Sequence, residues 1–299
     1  MTSIKSELLI DGNVLRENIV SIKKRLPEDS KFLAVIKSDA YGHNLTNIVN
    51  DIDDLVDGFG VVRIEEALEI RKHSNKKILL MQGVYSKEDF TLSRKQQFDL
   101  VIHNLFQFNI VKNEESFERL WFKVNTGMNR LGFEIDDFLK IYDENLQDKK
   151  FILMSHLASS NEKNNSANKN QFKLFNDLSK NLHKDVKKSI ANTGCIFNYP
   201  EYSFDWVRCG IGIYGGYLKD KKLKTAMTLR SPIINLREIR KGEKVGYDGR
   251  ATAEKDMKIA SIYLGYADGL PVTIKDGTTV MVNDQIASVF GKVSMDLTT

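Results

Sequence analysis

The 299-residue sequence predicts an α/β fold: a (β/α)8 TIM barrel followed by a smaller, mostly β C-terminal domain. Three observations predict it. Eight apolar runs of strand length recur between Phe32 and Tyr214, separated by segments of helical or mixed polar character, the alternation expected of βαβ units. From about Thr225 helical periodicity gives way to short alternating runs broken by glycines. Residues able to carry chemistry cluster at the carboxyl ends of the apolar runs, the face on which barrels of this kind build their sites.

In chain order, a short strand at 8–10 leads into an amphipathic helix that runs to about Leu26. The strand candidates are 32–37, 58–62, 78–82, 100–103, 120–125, 151–156, 186–191 and 207–214. Segments 64–73, 136–144 and 170–182 read as helices between them, and the polar stretch 159–170 reads as a long loop. The barrel domain is expected to cover 1–222, N-terminal strand included, and the β domain 223–299, with the junction near 219–224. Within the β domain, runs at 233–239, 259–264, 279–282 and 286–293 are punctuated by Gly242, Gly246, Gly269 and Gly277.

Composition narrows the function classes. The 44 basic and 40 acidic residues give a net charge of +4 but are dispersed, which argues against a nucleic-acid partner. Cys195 and Cys209 stand in no metal-like spacing and suggest a reducing compartment without a disulfide framework. His43, His73, His103, His156 and His183 form no metal-binding pattern, so no metal is expected. No apolar run approaches the length of a signal peptide or a membrane span, and the expectation is a cytoplasmic protein.

The most informative stretch is AVIKSDAYGHN, Ala34 to Asn44, where an apolar run ends on Lys37. A partly desolvated lysine at a strand's carboxyl end suits Schiff-base chemistry with a carbonyl substrate or with pyridoxal phosphate. Further candidates fall at other strand ends: Lys123 and Arg130 in or after the fifth, His156 at the sixth, Asn192 and Thr193 at the seventh, Arg208, Gly210 and Ile211 at the eighth. The N–H groups of Gly210 and Ile211, the Thr193 hydroxyl and the Tyr41 phenol suit a phosphate.

The segments AVIKSDAYGH, KVNTGMNRLGF from Lys123, VRCGIGIYGG from Val207, VGYDGRATA from Val245, GYADGLP from Gly265 and GKVSMDLTT from Gly291 together resemble the alanine racemase family, in its usual order. The resemblance implies that pyridoxal 5'-phosphate is held on Lys37, which also serves as one catalytic base, and that Tyr41, Asn192, Thr193, Gly210 and Ile211 surround the cofactor. Arg208 resembles the arginine that faces the pyridine nitrogen and, by discouraging its protonation, favours racemisation over other outcomes. Lys123 resembles a lysine that is often carbamylated and orients Arg130 toward cofactor and substrate carboxylate. His156 matches a histidine near the cofactor. Tyr247 resembles the second base and Met295 a backbone donor to the substrate carboxylate, both contributed across a head-to-tail homodimer. Tyr266 and Asp268 are expected to shape the entrance.

The sequence departs from the family at several places. Threonine replaces the usual serine at Thr193, and Ser189, Val272, Lys292 and Ser294 stand where histidine, two arginines and cysteine are common. The family continues past the position of Asp296 through more β structure, so the C-terminal domain is expected to be short, as if truncated. The implied activity is interconversion of L- and D-alanine for peptidoglycan. The alternatives are a broad-specificity amino-acid racemase and a non-catalytic pyridoxal-phosphate carrier; the latter needs no second base.

Overall fold

The computed structural model describes residues 5–299. They divide into two compact units, Ile10–Ala226 and a second that joins Met227–Thr299 to the N-terminal residues through Leu9.

The first unit is a barrel of eight parallel strands: β2 (Lys31–Val35), β3 (Gly58–Val61), β4 (Lys77–Leu80), β5 (Asp99–Ile102), β6 (Leu120–Lys123), β7 (Ile152–Met154), β8 (Lys187–Ser189) and β9 (Trp206–Cys209). Pairing runs β2 to β8 in chain order, and β9 returns to pair with β2, Leu33 opposite Arg208. Closure between β8 and β9 rests on a parallel bridge between Asn192 and Arg208, with Arg208 N–H donating to Ala191 O at 2.9 Å. Helices α1 (Gly12–Lys23), α2 (Leu45–Ile52), α3 (Ile64–Arg71), α4 (Lys87–Lys95), α5 (Leu105–Val111), α6 (Ile135–Asn145), α7 (Ser166–Lys180) and α8 (Thr193–Asn198) alternate with the strands.

Period-two alternation divides each strand between two cores. Phe32, Phe59, Leu100 and Phe122 pack outward against the helices. Leu33, Leu79, Val101, Trp121, Ile152 and Trp206 fill the interior. At the amino end of the barrel, buried Asp99 accepts from Trp121 Nε1 at 3.0 Å and pairs with Lys77 at 3.0 Å and Arg119 at 3.2 Å. This buried carboxylate ties β4, β5 and the start of β6 together at that end.

The second unit is built of two-stranded ladders. Strand β1 (Glu7–Ile10) pairs with β10 (Met227–Arg230), β11 (Ile233–Ile239) with β14 (Met257–Ile262), β12 (Lys244–Val245) with β13 (Ala251–Thr252), and β15 (Thr279–Val282) with β16 (Gln285–Ser288). The β15–β16 turn places Asn283 and Asp284 at φ 46° and 63°, the left-handed pair that a tight hairpin requires.

Three local expectations change. The N-terminal strand, read with the barrel, pairs with β10, because β2 is already hydrogen-bonded on both sides by β3 and β9. The stretch read as a loop to residue 170 becomes helical at Ser166, where the Asn165 side chain caps Ala167 N–H at 2.9 Å. Lys37 does not close a strand, since β2 stops at Val35.

Candidate active site

Beyond β2 the backbone does something that local preference opposes. Ser38, Asp39, Ala40 and Tyr41 all have φ between 51° and 57°, a full left-handed turn without a glycine. Such residues cost roughly 1–2 kcal/mol each, so tertiary contacts must hold them. Ala40 N–H donates to Ile36 O at 2.9 Å and Leu45 N–H to Asp39 Oδ1 at 2.7 Å. The turn puts Lys37 at its start and Tyr41 at its end, both on the rim of one cavity.

That cavity, about 580 Å³, lies at the carboxyl end of the barrel and draws its lining from the barrel alone. It brings together Lys37, Tyr41, Lys123, Arg130 and His156 with Asn192, Thr193, Arg208, Gly210 and Ile211. None of its lining residues is acidic. Tyr247 and Met295 belong to the C-terminal unit, 66% and 56% exposed. Tyr247 begins a short turn with Asp248 at φ 62°, and Asp248 pairs with Lys292 at 2.9 Å. The Met295 carbonyl accepts from Ala267, while its own N–H donates to nothing among the described residues. Asp268 uses its carboxylate within its own turn, accepting Gly265 N–H at 2.9 Å.

Arg208 is the best-buried cation of the barrel mouth, 2% exposed. Its Nη2 donates to Ser155 O at 2.6 Å and Ile190 O at 3.3 Å, and its Nη1 to Ser189 Oγ. The position where the family often has histidine thus holds a hydroxyl bonded to this guanidinium. Burial lowers its pKa to about 10, which leaves it charged at neutral pH. Its Nε is buried with no partner among the described residues. A buried unsatisfied donor on a cavity wall calls for an acceptor from a ligand.

His156 sits 3.4 Å from Arg208 Nη2 through Nδ1. Burial first, then Arg208, Lys123, Arg130 and Lys37, push its pKa well below the usual value, so the ring is neutral. A neutral ring whose Nδ1 accepts from Arg208 carries its proton on Nε2. Lys123, only 5% exposed, has its pKa lowered to about 8 by burial and by the charges of Arg208 and Arg130. Neither Lys123 Nζ nor the Arg130 guanidinium has a hydrogen-bond or ion-pair partner among the described residues.

The phosphate-side candidates form a tight cradle. Gly210 N–H points to Thr193 Oγ1 at 3.4 Å, and a Cβ at Gly210 would lie 2.5 Å from Tyr41 Oη. Only glycine leaves room for that phenol. Burial raises the Tyr41 pKa, which keeps it a neutral hydrogen-bond donor. Asn192 contributes differently from the expectation of a strand end. Its Oδ1 caps α8 at Cys195 N–H, 3.2 Å, and accepts from Ser160 Oγ at 2.6 Å, so it fixes Thr193 as the first helical residue.

Sequence reasoning passed over His43 and Tyr214. Their ring centroids lie 4.4 Å apart at a 35° tilt, and the Tyr214 ring packs against Tyr41 at 4.9 Å, tilted by 32°. The only sequence signal was their place inside motifs already noted for other residues.

The pattern of a lysine on the cavity wall, a tight Tyr41–Thr193–Gly210 cluster and an unsatisfied arginine agrees with comparison to known proteins. The alanine racemase N-terminal domain model matches residues 10–218 and the C-terminal domain model residues 226–299. The chain belongs to the alanine racemase family. It is 35% identical over 306 residues to an alanine racemase of Shewanella denitrificans, covering 97% of this chain and 84% of that protein. Among solved structures it is similar to the biosynthetic alanine racemase of Pseudomonas aeruginosa, with TM-score 0.91 and 32% identity over 99% of this chain and 85% of that one. It is also similar to the alanine racemase of Bartonella henselae described with covalently bound pyridoxal phosphate, with TM-score 0.87 and 25% identity over 99% of this chain and 85% of that one.

Alanine racemases depend on pyridoxal phosphate, and the cavity fits it. The cradle of Tyr41, Thr193 and Gly210 suits a phosphate, and the orphaned Arg208 Nε suits a ring nitrogen held as an acceptor. An acid-free wall suits a dianionic cofactor and a substrate carboxylate. No helix of the described residues is long and apolar enough to cross a membrane.

Proposed function

We infer that this protein racemises alanine, interconverting the L and D enantiomers with pyridoxal phosphate on Lys37, and so supplies D-alanine for peptidoglycan in the cytoplasm. The observation that carries the reading is a cavity whose charged groups are all cationic, with the buried, unsatisfied Arg208 Nε among them. When bound, pyridoxal phosphate acidifies the α-proton of an attached amino acid by drawing electrons into its conjugated ring.

This chain's residues divide the remaining work. Tyr41, Thr193 and the N–H groups of Gly210 and Ile211 hold the phosphate, with Asn192 fixing Thr193. Arg208 would offer its Nε–H to the ring nitrogen of the bound cofactor and, being charged, would oppose protonation there. Neutral His156 accepts from Arg208 and presents its Nε2–H to the site. Arg130 pairs with the substrate carboxylate, joined by the free Met295 N–H.

Inversion needs one group on each face of the planar carbon. Lys37 moves the proton on one face and Tyr247 on the other. Tyr247 comes from a second copy in a head-to-tail homodimer, which gives its exposed phenol a site to complete. Lys123 is converted to a carbamate. With a pKa of about 8, roughly one-tenth of it is neutral amine at pH 7, the form that adds carbon dioxide. The carbamate replaces a repelling cation by an anion that steers Arg130.

The test is formation of D-alanine from L-alanine by the purified protein, with serine and other amino acids in parallel. Alanine is expected to be the best substrate, with the cofactor mapped to Lys37 after borohydride reduction. No racemisation of any amino acid, or reductive labelling of Lys123 in place of Lys37, would overturn the reading. A broader substrate range is the second reading, favoured by apolar Val272, 43% exposed, at a position where the family has arginine.

A further inference from the structure

We propose that Glu66 is a positioning residue for Lys37, one carboxylate that sets the left-handed turn following the catalytic lysine. The proposal rests on the assignment of Lys37 made above.

Glu66 stands in the first turn of α3, in the loop region after the neighbouring strand β3. Its Oε2 accepts Val62 N–H at 3.2 Å and Arg63 N–H at 3.1 Å, which is the local task of an acidic residue at a helix start. Its Oε1 does something else. It accepts Ser38 N–H at 2.6 Å and Asp39 N–H at 3.4 Å, from a loop 27 and 28 residues away. The carboxylate therefore joins two βα loops and faces four amides.

Ser38 and Asp39 are the first two of the four left-handed residues, directly after Lys37. In that conformation their successive N–H groups point the same way and form a small anion-binding nest. Glu66 fills it from within the protein. The other carboxylate on the turn, Asp39, is turned away and caps α2 at Leu45 N–H, 2.7 Å. Without an anion in the nest, the backbone gains by returning to the right-handed region that L-residues prefer. That would redirect the Lys37 side chain at one end of the turn and the Tyr41 phenol at the other. A single carboxylate thus sets the relation between the lysine that bears the cofactor and the phenol that holds its phosphate.

The proposal separates from a plain helix-capping role. Glu66→Gln keeps one acceptor and places an NH2 donor against amides that also donate. Glu66→Asp is one methylene too short to serve both loops and keeps the contacts at its own helix start, to Val62 and Arg63. Two readouts apply to apoprotein: amide hydrogen exchange at Ser38 and Asp39, and the rate at which added pyridoxal phosphate forms a borohydride-trappable bond to Lys37. Both variants are expected to lose protection at Ser38 and Asp39 and to trap the cofactor roughly 10- to 100-fold more slowly, with Glu66→Asp retaining protection at Val62 and Arg63.

Trapping at the wild-type rate in either variant overturns the proposal. So does loss of protection confined to Val62 and Arg63. Should Glu66→Gln not fold, Glu66→Asp alone decides it, and unprotected Ser38 and Asp39 amides in the wild-type protein refute it without any variant. Absence of alanine racemisation by wild-type protein would count against the assigned reaction and leave both readouts intact.

Discussion

The barrel and the C-terminal unit of this chain use their apolar residues differently. In the barrel, helix-facing and interior cores enclose phenylalanines and tryptophans at or near zero exposure. The corresponding cluster in the C-terminal unit is Ile239, Ala253 and Ile259, flanked by Val245, Met257 and Phe290. There the strands lie in two-stranded ladders, and Leu236, Met281 and Ile286 are 66%, 68% and 78% exposed. Two-stranded pieces are marginal alone. The barrel therefore holds Arg208, Lys123 and the phosphate cradle in place by its own packing. The C-terminal unit leaves Tyr247 and Met295 exposed, so its own packing does not fix them in the way the barrel fixes Arg208.

The largest expected effect breaks this division of labour. Lys37→Ala and Tyr247→Phe should each lower racemisation by about 10⁴-fold or more, since on the proposed mechanism each removes one of two proton-transfer groups. Unfolding and refolding the two variants together should restore part of the activity, because a mixed dimer contains one site with both groups intact. If mixed dimers form and no D-alanine appears, each copy completes its own site.

Next in size is a pH dependence confined to the barrel. In apoprotein free of carbon dioxide, Lys123 titrates at about 8 when folded, against an ordinary 10.5. Below pH 8 both states carry the proton, and burial of the charge is a full penalty. Between about 8 and 10.5 the unfolded chain binds the extra proton, so stability rises with pH, by about 3 kcal/mol in all. Urea denaturation against Lys123→Met isolates this gain. Its absence would show that Lys123 carries another group or is better solvated than its 5% exposure indicates.

Gly210→Ala is a smaller disturbance. The added methyl would meet Tyr41 Oη at 2.5 Å and displace the phenol. Cofactor affinity, followed by equilibrium dialysis, should fall about 10- to 100-fold, the value of one or two charge-assisted hydrogen bonds. Unchanged affinity would remove Tyr41 from the phosphate set. Smallest is Met281→Ser on the C-terminal hairpin, expected to alter stability by less than about 0.5 kcal/mol. A loss of several times that would mean the hairpin is better packed than its exposure implies.

Seven of the barrel strands were legible because each is mainly an apolar run of the right length, whereas β8, Lys187–Ser189, is polar and was legible only through apolar Val186 and Ile190 beside it; their order follows from βαβ alternation. Most of the site was legible for the same reason: the strand ends carry Lys123, Arg208 and Gly210 to one face. The left-handed turn was not. Ser38 to Tyr41 contain no glycine, and nothing local announces a conformation that depends on Glu66 far along the chain. Helix α7 was recognised late because an Asn-Ser pair resembles loop composition and is in fact its cap. The burial that depresses Lys123 is likewise a product of neighbours that meet only in the closed barrel.

Closure itself has a consequence for the cavity. Strand β9 is the last barrel strand in the chain; it carries Arg208, leads into Gly210 and completes the ring against β2 and the end of β8. A barrel whose first seven strands have assembled still lacks Arg208 and Gly210. The cavity is therefore complete only in a closed barrel, because its wall includes Arg208 from the final barrel strand and Gly210 just after it.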